Sequence, residues 1–154
     1  MLRIGDEAPD FELEDDSGNR VRLSEALRAG SVVLYFYPMD FMPVCTREAC
    51  MFRDVFSELA SLGIRVFGVS SQSPRVHARF RAFHRLPFPL LSDPGRKVAR
   101  AYGCLAFLGL TVRRASFWIG ADSKIQDAAL ADFRVRPHEE FARRVLEKAR
   151  TAGA

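Results

Sequence analysis

The sequence predicts an α/β protein with a mixed central sheet covered by helices on both faces, and three observations carry that reading. Two short apolar runs, Ser31 to Tyr37 and Ile64 to Ser70, flank a stretch with helical spacing, the pattern of a βαβ unit. A pair of segments alternating apolar with polar residues precedes it. A second strand pair and an amphipathic helix close the chain. The order hairpin, βαβ, αβ, α, ββ, α calls for strands of both directions in one layered sheet.

Each element has a local reason. Phe11-Glu12-Leu13-Glu14 and Arg20-Val21-Arg22-Leu23 alternate around the turn cluster Asp15 to Asn19, which predicts a half-exposed hairpin. Ser24 is placed to cap a short helix over Glu25 to Ala29 that Gly30 stops. Ser31 to Tyr37 is too short for a helix and is read as a buried strand. Pro38 to Val44 holds two prolines and is read as a loop, with a helix starting from Cys45 or Thr46. Phe52, Val55, Phe56, Leu59 and Leu62 form its buried stripe, and Gly63 ends it.

Ser73 followed by Pro74 opens a basic helix running to about Arg85, and a short strand is expected around Leu90 and Leu91. Asp93-Pro94-Gly95 turns into a helix ending at Tyr102-Gly103, and Cys104 to Val112 reads as an irregular apolar loop, a candidate lid. Arg114 to Ile119 and Ile125 to Ala131 flank the turn Gly120 to Ser123 as an antiparallel pair, and Pro137 opens a last helix through Phe141, Val145 and Leu146. With no linker or repeat, residues 1–154 are expected to form one domain.

The composition narrows the function classes. At 48% hydrophobic residues the chain can build a core without disulfide staples. No apolar window is long enough to span a bilayer, and acids stand where a secretory segment needs an apolar run, so a soluble cytoplasmic protein without a membrane role is expected. The net charge is +4, but the arginines are scattered and not interleaved with aromatics, so a solvated surface is favoured over nucleic-acid binding. Three cysteines, Cys45, Cys50 and Cys104, are too few and odd in number for a secreted scaffold, and fit catalytic, redox or metal-linked use.

Cys45 occupies a distinctive position, where a strand has ended, a proline-bounded loop has turned and a helix begins. Unpaired amides and the positive helix end stabilise a thiolate there, so Cys45 is expected to titrate well below an ordinary thiol. The alternative is a small buried hydrophobe, the commonest fate of a free cysteine.

The segment Tyr35-Phe36-Tyr37-Pro38-Met39-Asp40-Phe41-Met42-Pro43-Val44-Cys45-Thr46-Arg47-Glu48-Ala49-Cys50 closely resembles the active-site segment of the peroxiredoxins, of the bacterioferritin-comigratory or Q type. In that family a proline is followed by three residues, a threonine or serine, two residues and the peroxide-attacking cysteine; Pro38 and Cys45 match this spacing, and Glu48 matches an acid often carried three residues later. Gly5 to Phe11, Leu90-Leu91-Ser92-Asp93 and Arg114-Ala115-Ser116-Phe117 extend the likeness over almost the whole chain. The resemblance implies a thioredoxin-like fold with an N-terminal β-hairpin extension.

It also implies roles. Cys45 would attack the terminal peroxide oxygen and become a sulfenic acid, with Arg114 holding the thiolate and the departing oxygen. Pro38 would shield the pocket, the backbone of Val44 and Cys45 would donate to the peroxide, and Glu48 would support the site from behind. Cys50 would be the resolving cysteine, or else a core cysteine. In a continuous helix its α-carbon lies about 8.6 Å from that of Cys45. Disulfides rarely tolerate more than about 7 Å, so the first turn must unwind. The implied enzyme is a thioredoxin-dependent peroxidase for hydrogen peroxide or organic hydroperoxides, without cofactor or metal, and a monomer or at most a weak dimer.

One position departs from the pattern. Met42 stands where the family has threonine or serine and offers no hydroxyl, which leaves open a slower peroxidase or a thioredoxin-fold redox sensor or interaction protein. Cys104 is expected to be a buried structural thiol, with competition for the resolving role as the other option. His77 and His84 lack closely spaced cysteines as zinc partners and are expected at the surface, and Arg113 is expected to face away from Arg114.

Overall fold

The computed structural model describes residues 1–152, so the last two residues of the expected domain lie outside the described residues. β1 (Glu12–Asp15) and β2 (Arg20–Arg22) form the expected hairpin. α1 (Leu23–Ala26) follows at once, starting two residues and ending three residues earlier than expected. Ser24 is not its cap. The Asp10 carboxylate accepts from the Ser24 amide at 2.9 Å, a long-range partner that local patterning does not reveal.

β3 (Val32–Phe36) is buried at every position, as a central strand covered on both faces must be. α2 (Pro43–Ser61) begins two residues before the expected start. Met42 is extended at φ −70° and ψ 142°, as a residue before proline prefers, and Pro43 takes the first helical position, where a missing N–H costs nothing. Gly63 then turns the chain with φ 76° into β4 (Arg65–Ser70).

α3 (Pro74–His84) is capped by Ser73, whose hydroxyl accepts from the Val76 amide, and β5 (Leu90–Ser92) follows. A 3-10 turn leads into α4 (Lys97–Ala101). The expected irregular loop is instead a small hairpin, β6 (Leu105–Ala106) against β7 (Thr111–Val112), with Phe107 and Leu108 exposed at its tip. β8 (Ala115–Ile119), β9 (Ile125–Leu130) and α5 (Arg136–Ala152) complete the chain.

Seven strands join in the order β2-β1-β5-β4-β3-β8-β9, with β3, β4 and β5 parallel and the outer pairings antiparallel. Alternate residues of β3 feed two cores. Val32, Leu34 and Phe36 pack with residues of α1 and α4 on one face, and Val33 and Tyr35 pack with α2, α3 and α5 on the other. The expected mixed sheet with helices on both faces is the one observed, and the second core contains Cys45.

Candidate active site

The carboxyl end of β3 runs through Tyr37 into the loop Pro38 to Met42, and α2 begins against the start of β8 and the end of β9. Cys45 lies in the first turn of α2 and is only 1% exposed. Arg114, the residue before β8, lies 2% exposed and directs Nη1 to the Cys45 sulfur at 2.9 Å. The same Nη1 donates to Glu48 Oε1 at 3.3 Å. The amides of Val44 and Cys45 belong to the opening turn and have no intrahelical acceptor.

Arg114 is aimed by a residue the sequence reading missed. Asp132, just beyond β9, accepts from the Arg114 amide through Oδ1 at 3.2 Å and from its Nε through the main-chain carbonyl at 3.0 Å. Its Oδ2 accepts from Arg113 Nη2 at 2.9 Å. Arg113 therefore does not turn away as expected: both arginines precede the first residue of β8, where strand alternation does not yet apply. Pairing between β8 and β9 carries Asp132 to this place, and the Ala131 amide donating to the Arg114 carbonyl continues the ladder.

The electrostatics correct one expectation. Burial pushes the Cys45 thiol up from its ordinary value, and the Arg114 guanidinium and the Met39 amide pull it back without reversing the direction. A helix start lowers a thiol when solvent and open amides surround it; here the sulfur is enclosed. Glu48 is wholly buried, and burial pushes its carboxyl up to about 8 despite Arg114. One cation thus serves two acids, and they titrate as a coupled set. With Glu48 protonated near neutral pH, its repulsion of the sulfur vanishes and the Arg114 charge is left to Cys45.

His138 of α5 supports this distribution. Its Nε2 lies 3.0 Å from the Ala131 carbonyl, which fixes the N–H there and leaves Nδ1 to accept from the Ser116 hydroxyl at 2.9 Å. Burial holds its pKa below the ordinary imidazole value. Glu48 Oε2 lies 3.3 Å from that Nδ1 but has no hydrogen-bond partner, so an ionised Glu48 is left half unsatisfied in a dry site.

A cavity of about 650 Å³ opens beside Arg114, lined by Pro38, Met42, Val44, Phe107 and Phe133 among others. Met42 is the residue before the first turn of α2 and provides no side-chain cap. Its thioether side chain leaves the cavity wall apolar where a hydroxyl would have served both helix and ligand.

All three cysteines are free thiols. Cys50 lies half-buried in the next turns of α2 and is not disulfide-bonded to Cys45; its sulfur sits 3.9 Å from His84 Nδ1. Cys104 is fully buried and pushed up to about 12, the structural thiol expected. His77 is not a surface residue. It is fully buried with Nδ1 2.6 Å from Asp40 Oδ2 and Nε2 3.3 Å from the Ser70 hydroxyl. Among the described residues no group of three or more potential ligands could hold a metal ion, and no helix is long and apolar enough to cross a membrane.

A buried cysteine in the opening turn of a helix, held by an arginine from a facing strand of a thioredoxin-like sheet, defines a thiol oxidoreductase of the peroxiredoxin class. The comparisons agree with that class. Residues 4–128 match the model of the AhpC/TSA family, and the chain belongs to that family, as a peroxiredoxin of the Bcp or Q type and a thiol-dependent peroxidase. A putative peroxiredoxin of Mycobacterium tuberculosis is 38% identical over 97% of this chain and 99% of its own length. Peroxiredoxin Bcp of Escherichia coli is 37% identical over 90% of this chain and 92% of its own. Among solved structures, the peroxidoxin BcpB of M. tuberculosis superposes with a TM-score of 0.88 at 38% identity, covering 96% of this chain and 98% of that one. These relatives do not favour the redox-sensor alternative that Met42 left open.

Proposed function

We propose that Cys45 is the peroxide-attacking thiol of this peroxidase. The observation that carries the proposal is the 2.9 Å contact between Arg114 Nη1 and the Cys45 sulfur beside a cavity lined mostly by apolar residues. The thiolate attacks the terminal oxygen of the hydroperoxide, the O–O bond breaks, and the sulfur becomes a sulfenic acid while the departing alkoxide or hydroxide takes a proton. Arg114 and the free amides of Val44 and Cys45 stabilise the charge that develops on the oxygens. Pro38 closes the cavity against water, and Glu48 acts from behind the guanidinium.

Cys50 then resolves the sulfenic acid as an intramolecular disulfide, after the opening turn of α2 has unwound, and a thioredoxin-like protein in the cytoplasm reduces the disulfide. The chain works as one domain and as a monomer. The apolar cavity, with Met42 on its wall, suits organic hydroperoxides as well as hydrogen peroxide; a Xanthomonas campestris relative at 26% identity is described by its alkyl peroxide reduction activity. The test is a coupled assay with thioredoxin, thioredoxin reductase and NADPH. Turnover with hydrogen peroxide or cumene hydroperoxide that disappears in Cys45→Ser supports the assignment, and turnover retained in Cys45→Ser overturns it.

A further inference from the structure

Resolution requires a second thiol to lose its proton, and the structure offers that thiol a base. Cys50 Sγ and His84 Nδ1 lie 3.9 Å apart, within hydrogen-bonding reach for sulfur. His84 closes α3, and its ring is fixed between Phe80 and Phe83, each 4.9 Å away between centroids, with Phe41 of the active-site loop at 6.4 Å. Arg53, one turn beyond Cys50, donates from Nη1 to the His84 carbonyl at 2.9 Å. The end of α3 is therefore bound to the middle of α2 at two points, and both lie outside the opening turn that carries Cys45.

We propose that His84 is a catalytic residue of the resolving step, taking the proton of Cys50 and returning it to the departing oxygen of the Cys45 sulfenic acid. This rests on the reading of Cys50 as the resolving cysteine. The step balances as follows. Cys50 S–H gives its proton to Nδ1, the Cys50 thiolate attacks the Cys45 sulfur, the S–S bond forms and the S–O bond breaks. The hydroxide leaves with the proton from His84 as water. The Cys50 sulfur is oxidised and the Cys45 sulfur reduced, so no further reactant is needed.

The geometry also assigns the motion. Cys50 is held by His84, whose carbonyl is in turn fixed by Arg53, so the unwound segment brings Cys45 to Cys50 and not the reverse. Arg85, the C-cap residue of α3, follows His84 directly. Arg53 on α2 donates to both the Asp54 carboxylate and the His84 carbonyl, Arg81 on α3 is engaged by Asp16 and the Leu86 carbonyl, and Phe41, Phe80 and Phe83 carry no charge.

Single-turnover mixing with one equivalent of hydrogen peroxide tests the proposal, with the Cys45 sulfenic acid trapped by dimedone and the disulfide counted by mass spectrometry. The ratio of the resolution rate to the sulfenic acid formation rate should fall about 100-fold in both His84→Gln and His84→Ala. Its dependence on pH should differ from the parent's in both variants, and added imidazole should restore the rate in His84→Ala. A ratio and pH profile unchanged in both variants would overturn it. Cys50→Ser separates the two levels: if that variant fails to accumulate the sulfenic acid, the assignment of Cys50 is wrong; if it accumulates while the His84 variants resolve normally, only the role of His84 is wrong.

Discussion

Two buried polar clusters border the loop from Pro38 to Met42, and they differ in how completely they are satisfied. In the first, Asp40 accepts from the Tyr37 hydroxyl on Oδ1 and lies 2.6 Å from His77 Nδ1 on Oδ2, while Gln72 accepts from the Asp40 amide. Every polar atom of that carboxylate has a partner. In the second, among the described residues, Arg114 is the single cation hydrogen-bonded to Cys45 and Glu48, and Glu48 Oε2 has no hydrogen bond. The saturated cluster fixes the loop to β4 and α3. The unsaturated cluster keeps a proton and a charge movable, which is what chemistry at the sulfur requires.

The comparison can be broken at either end. The largest effect is expected in the saturated cluster: His77→Leu leaves the Asp40 carboxylate uncompensated and should cost about 3–5 kcal/mol of stability, read as a lower urea midpoint. If stability changes by less than about 1 kcal/mol, the pair is not the anchor described. In the unsaturated cluster, Arg114→Leu should lower kcat/KM for peroxide by about 100- to 1,000-fold, the effect of removing one positioned donor. A rate within about tenfold of the parent would remove Arg114 from the site.

Glu48 sharpens the contrast through pH. Its carboxyl is raised to about 8 from an ordinary value of 4.5, so across that window the folded chain holds a proton that the unfolded chain has released. Its contribution to stability is therefore lost as pH rises from near 4.5 through about 8. Glu48→Gln should gain stability relative to the parent between pH 5 and pH 9, and a constant difference in urea midpoints would contradict the assigned shift. The smallest effect belongs to the rim. Met42→Thr supplies a cap to α2 and a hydroxyl to the cavity, and should raise the peroxide rate by up to about tenfold and the stability by about 1 kcal/mol. An unchanged or lower rate would show that the hydroxyl argument does not apply here.

The parts of this molecule written in local pattern were legible in the sequence. β3, α2, β4 and the Ser73 cap follow from apolar runs, helical spacing and a Ser-Pro pair, and the motif around Cys45 identified the family. What escaped depends on contacts distant in sequence. Asp132 reaches Arg114 only through the β8–β9 register, and His138 reaches Glu48 only because α5 packs over α2. His77 was expected at the surface because the sequence offers it no zinc partners, whereas its actual partner Asp40 lies in a loop that the motif alone does not orient. The acidity of Cys45 was misjudged for the same reason. The helix start was visible, but the enclosure that opposes it is a property of the packed fold.

The most direct test of the account is the site of first oxidation. With Cys50→Ser to prevent resolution, one equivalent of peroxide followed by dimedone should place the label on Cys45 in mass-mapped peptides, in nearly stoichiometric yield. A label on Cys104, or an unlabelled Cys45 while peroxide is consumed, would contradict it.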